Sequence, residues 1–176
     1  HYCEVVVDRV GGGHETGTLD EEAHYLTVKQ ALAASGLRYF DDMVLHFGYH
    51  NVAEYRANRA FVRAYERLKK EGLVRHLGLT QHNYNGNAKV PGGESAVEIL
   101  AAVLADGLYE HAQIFYSFGD GPEVDAFLKT ARAKGFGTIA MKTTRGMGRM
   151  QSETALVKDL PAGTSPYHAL ARWLST

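Results

Sequence analysis

Short apolar runs alternate along the chain with longer stretches in which apolar residues return every three or four positions. Brief β-branched and aromatic runs predict strands, and the longer spacing predicts amphipathic helices. Strands are expected at "EVVVDRV" (4–10), "YFDDMVLH" (39–46), "VRHLGLT" (74–80), "HAQIFYSF" (111–118) and "GTIAMKT" (137–143). Helices are expected over 19–35, 52–72, 93–107, 121–135 and 165–175. Asp20 stands where an N-cap belongs, followed by acids that suit the helix dipole. Within 52–72, Phe61, Tyr65 and Leu68 share a face, and Lys69, Lys70 and Gly72 mark the end. Pro166 fits the first turn of the last helix.

The order is strand then helix, five times over. Connections leaving helices are short, whereas those leaving strands are longer and richer in Gly, His, Asn and Thr. That asymmetry belongs to parallel βαβ units, whose ligand-binding loops gather at the carboxyl ends of the strands. The fold class is therefore α/β, and residues 1–176 read as a single domain. The loop "NYNGNAKVPGG" (83–93) reads as part of a binding rim.

Composition narrows the function classes. The 176 residues are 45% hydrophobic and 22% charged, enough for one core. A formal net charge of −1 with interleaved signs offers no basic face to a nucleic-acid backbone. No apolar stretch approaches the roughly 20 residues that span a bilayer, so no membrane partner is expected. Cys3 is the single cysteine, which fits a reducing compartment, and a cytoplasmic location is expected.

The ordered set "YFDDMVLH", "AYERLKKEGLVRHLGLTQHN", "AQIFYSF" and "GFGTIAMKTTRGMG" resembles the aldo-keto reductase family. The resemblance implies a parallel β/α barrel, TIM-barrel-like, that reduces carbonyl compounds with NADP or NAD. It implies that the chain starts near the third barrel strand and stops around the seventh helix. The family's catalytic aspartate and tyrosine belong to strands outside that span. A full barrel takes about 250 residues, so the expectation is an incomplete barrel with five βα units. Its exposed sheet edges call for cover by an oligomer or a second segment.

The same resemblance assigns residues. His46, at the end of its strand, falls on the catalytic histidine, whose imidazole can donate a hydrogen bond to a developing alkoxide. Arg9 stands where the family has a lysine that tunes the catalytic tyrosine, and a guanidinium is a non-conservative exchange there. Thr80 and Gln81 take the place of a Ser-Asn pair on the nicotinamide carboxamide, completed by Gln113, whose amide can donate and accept. Met141 stands where the family stacks a tyrosine under the nicotinamide. Lys142, Thr143 and Arg145, beside glycines, suit the pyrophosphate. Tyr116 is a candidate aromatic wall.

Two rivals accompany this reading of a small carbonyl substrate. One is a non-catalytic or truncated relative acting as a binding or structural domain, motivated by Arg9 and the missing strands. The other is a zinc-dependent hydrolase using His46, His50 and His82, which could meet above one end of the sheet. The resemblance supplies no metal. His111, at a strand start, is expected at the opposite end, and His24, His76 and His168 read as structural.

Overall fold

The computed structural model describes residues 1–5, 20–117, 120–146 and 160–174. Strands β1 (Tyr2–Val5), β2 (Phe40–Leu45), β3 (Val74–Gln81), β4 (His111–Phe115) and β5 (Gly137–Met141) form one sheet in sequence order. Every neighbouring pair is parallel. Between them run α1 (Glu21–Ser35), α2 (Val52–Ala57), α3 (Ala60–Lys70), α4 (Ala96–Asp106) and α5 (Pro122–Ala133). A 3₁₀ turn (Thr143–Gly146) follows β5, and α6 (Pro166–Leu174) packs beside it. This is an open, incomplete β/α barrel, and β1 and β5 are its edges among the described residues.

Local signals start the helices where expected. Asp20 caps α1 by accepting from the Ala23 amide at 2.8 Å. Ser95 opens α4 with a reciprocal box, its hydroxyl accepting from Glu98 N while the Glu98 carboxylate accepts from Ser95 N. The stretch 52–72 is not one helix, however. Asn58 leaves helical geometry at φ −108° and ψ 106°, and its side-chain oxygen accepts from the Ala60 amide at 3.1 Å. An asparagine offers the backbone this alternative partner. Arg59 then stacks over the Tyr55 ring, 4.4 Å from its centroid, and pairs with Asp106 at 2.8 Å.

Side chains alternate between the two faces of a strand, and parallel neighbours in register share a face. Met43, Leu45, Leu77, Leu79, Ala112 and Ile114 point toward the helices. There they join Val28, Leu32, Phe61, Tyr65, Leu68, Ile99, Leu100, Val103 and Phe127 in one core. Burying each large side chain contributes about 1.5–3 kcal/mol, so this layer holds the fold. Val44 is fully buried yet belongs to the opposite, open face. With it alternate Asp42, Gly78, Thr80, His111, Gln113, Phe115 and Ile139.

Candidate active site

The carboxyl ends of β2, β3 and β4 bring several of the expected residues together on the open face. Thr80 and Gln113 are direct partners in the β3–β4 register, which sets a hydroxyl beside an amide. Thr80 is 2% exposed, whereas Gln113 is half-buried. His46 follows the end of β2, two positions past Val44, and His82 follows the end of β3, two positions past Thr80. Their ring centroids lie 6.3 Å apart. Phe47 packs between them, 3.9 Å from His46 and 4.8 Å from His82, and Phe115 closes on His82 at 5.0 Å. Two imidazoles, a hydroxyl and an amide thus converge within an aromatic frame.

Met141 is the register partner of Phe115, so it too stands at this end of the open face. Lys142 turns the chain with φ 55° and is exposed. Thr143 is anchored from β4, because the Ser117 hydroxyl donates to its carbonyl at 2.6 Å. Arg145 lies in the same 3₁₀ turn, with its side chain outside the described part. Arg9 lies outside the described residues altogether. With strands about 4.8 Å apart, the β5 end is one strand spacing from Gln113 and three from His46. That spread suits an extended ligand better than a compact one.

Gln81 does not join this set. Thr80 and Gln81 are consecutive in β3, so alternation sends them to opposite faces. Gln81 is fully buried, accepts from the Tyr49 amide at 3.1 Å, and donates to the carbonyls of Tyr49 and His82, both at 2.8 Å. Both its amide protons are engaged within the protein. The structure therefore does not bring Gln81 to the Thr80–Gln113 pair. Tyr116 likewise stands apart: it follows β4, and its hydroxyl donates to Asp125 of α5 at 2.8 Å, leaving Phe115 as the aromatic wall.

The reading of the sequence considered His82 only as a metal ligand and missed Phe115, although the period-two pattern 78, 80, 82 and 111, 113, 115 carried both. His50 stands apart from the pair His46 and His82. Its backbone donates to Glu54 at 2.7 Å and its ring meets Tyr84 edge-on at 4.6 Å. Among the described residues no group of three or more His, Cys, Asp or Glu is placed to hold a metal ion.

The opposite end of the same face is also polar. His111 crosses β3 above Gly78 to bring its Nε2 within 3.0 Å of Asp42 Oδ2. A β-carbon at Gly78 would fall 2.1 Å from the His111 ring, so only glycine leaves this path open. His76 and Glu110 pair at 2.6 Å nearby. These groups line a wide cleft of about 810 Å³ with Tyr109 and Phe136. It lies at the strand starts, away from Thr80 and His46, so the strand register, not cleft size, locates the candidate chemistry.

The comparisons with known proteins bear on the fold. No family model and no curated protein matches the sequence. Among solved structures, a protein of Pseudomonas aeruginosa assigned to the aldo-keto reductases superposes with a TM-score of 0.57 at 16% identity, over 90% of this chain and 55% of that one. A second from the same organism gives 0.56 at 18%, over 86% of this chain and 57% of that one. An aldo-keto reductase from Bacillus halodurans, in its holo form, gives 0.54 at 18%, over 83% and 42%. The chain thus spans about half the length of these proteins. At such identities the likeness is one of fold: this chain has the architecture of an incomplete aldo-keto reductase barrel.

Proposed function

We propose that this chain serves a nicotinamide-dependent oxidoreductase that reduces an aldehyde or ketone, with NADP or NAD as cofactor. The observation that carries the proposal is the Thr80–Gln113 register pair beside His46 and His82, at the strand ends where β/α folds bind ligands. A hydroxyl next to an amide can donate to and accept from a carboxamide at once, so the residues fit a nicotinamide. When bound, reduced nicotinamide supplies a hydride. At the carbonyl carbon a C–H bond forms and the π pair moves onto oxygen. His46 would orient the carbonyl and donate a hydrogen bond to the developing alkoxide, which would take its proton from solvent. Phe47 and Phe115 limit water at the reacting centre, which strengthens that hydrogen bond. Met141 packs near the ring, and Lys142, Thr143 and Arg145 meet the phosphates.

The partner in this reading is a small carbonyl compound, with a second segment or copy against the sheet edges. The test is a fluorescence titration of the chain with NADPH and with NADH. Saturable binding that Thr80→Val weakens about tenfold, the value of one hydrogen bond in a site that excludes water, supports the reading. Absence of binding for both nucleotides overturns it. A non-catalytic binding domain is the second reading, kept open by Arg9 standing where the resemblance has a lysine. Carbonyl reduction that His46→Ala abolishes would exclude it.

A further inference from the structure

We infer that Gln81 is a positioning residue for His46, acting through the Gly48–Tyr49 turn. The inference rests on the proposed role of His46. Four observations converge on the three residues that follow it. Gln81 engages Tyr49 reciprocally, its carbonyl accepting from the Tyr49 amide and its amide donating to the Tyr49 carbonyl. In this way a side chain of β3 pairs with the backbone of the next loop as a strand would. Gly48 sits so close that a β-carbon would lie 2.2 Å from Gln81 Oε1 and 2.9 Å from the Thr80 carbonyl, and its φ of 66° is itself a glycine conformation.

Phe47 adopts φ 65°, a region that aromatic residues enter only when their surroundings compel it. The hydroxyl of buried Tyr84 donates to the Phe47 carbonyl at 3.0 Å, a second anchor from the segment after β3. The Phe47 ring in turn rests 3.9 Å from the His46 ring and 4.8 Å from the His82 ring, touching both. The chain of contacts runs from Gln81 and Tyr84, through a turn held in an unfavourable shape, to the orientation of His46. Without the two anchors the turn relaxes, and the Phe47 wedge leaves the imidazole.

The test is histidine-selective NMR of the wild-type chain, Gln81→Leu and Tyr84→Phe, with His46→Gln to assign the His46 signal. In both variants the His46 resonance is expected to lose the ring-current effect of Phe47, while the His76 resonance at the far end of the sheet stays in place. NADPH affinity of Gln81→Leu is expected to change less than about threefold, since the residue faces away from Thr80 and Gln113. An unmoved His46 resonance in both variants overturns the inference. So does tenfold weaker NADPH binding without movement of His46, which would return Gln81 to the cofactor. If the wild-type chain binds no nucleotide, the carbonyl-reducing reading falls, and the His46 resonance still decides the role of Gln81. If Gln81→Leu does not fold, Tyr84→Phe removes a single hydroxyl and carries the same comparison.

Discussion

The two faces of β2, β3 and β4 share one backbone and differ in almost everything else. Toward the helices stand Met43, Leu45, Leu77, Leu79 and Ile114, each at most 1% exposed. Toward the open side stand Asp42, His46, His76, Thr80, His82, His111 and Gln113, polar at both ends with Val44 and Gly78 between. The first face gains its stability from area removed from water, which depends little on the exact side chain so long as volume is kept. The second depends on which donor stands next to which acceptor. Because the strand period is two, one residue of displacement exchanges these duties, as Thr80 and Gln81 show.

That contrast can be broken most forcefully at adjacent positions. Leu79→Ala should cost about 2–5 kcal/mol of unfolding free energy, measured by urea titration. A loss below about 1 kcal/mol would mean the helix face is not the source of stability. The helix layer also contains one ionisable weak point. His24 is buried against Phe61 with neither ring nitrogen hydrogen-bonded, and burial lowers its pKa from 6.5 to about 4. The folded state thus favours neutral imidazole. Its stability is intact above pH 6.5 and declines as pH falls toward 4, where the folded form also takes up the proton. The loss should reach about 2 kcal/mol by pH 5. His24→Leu should flatten the profile between pH 7.5 and 5, and an unchanged slope would remove His24 as its cause.

Smaller effects are expected on the open face. Thr80→Val should lower stability by about 1 kcal/mol, the value of one buried hydroxyl bond, while nucleotide affinity drops about tenfold. If stability falls as far as in Leu79→Ala, the division between faces fails. Lys142→Ser should leave unfolding within about 0.5 kcal/mol of wild type and weaken dinucleotide binding a few-fold, with less difference at high salt.

Much of the fold was legible because the period of apolar residues reports burial directly. The strand and helix order followed from it, as did the shared face of Phe61, Tyr65 and Leu68, all buried in α3. The Asn58–Arg59 break was not legible. The residues on either side keep good helix spacing, and the interruption is set by Tyr55 and Asp106, the latter on another helix. In the site, His46, Thr80 and Gln113 could be placed by resemblance, and the structure brings them to one end of one face. Gln81 stands apart from Thr80 because a motif records adjacency in sequence, whereas alternation decides adjacency in space. Phe115 was missed, and His82 was weighed only as a metal ligand, for the complementary reason. Each is two residues from an assigned position, and that step becomes meaningful only when register is known.

The strand β5 reads Gly137-Thr138-Ile139-Ala140-Met141, without a charge, exposed over most of its length and paired only with β4 among the described residues. Lys142 follows immediately, charged and turned out of extended geometry at φ 55°. Lengthening β5 by a single residue would therefore carry that charge to the other face of the sheet, because side chains alternate along a strand.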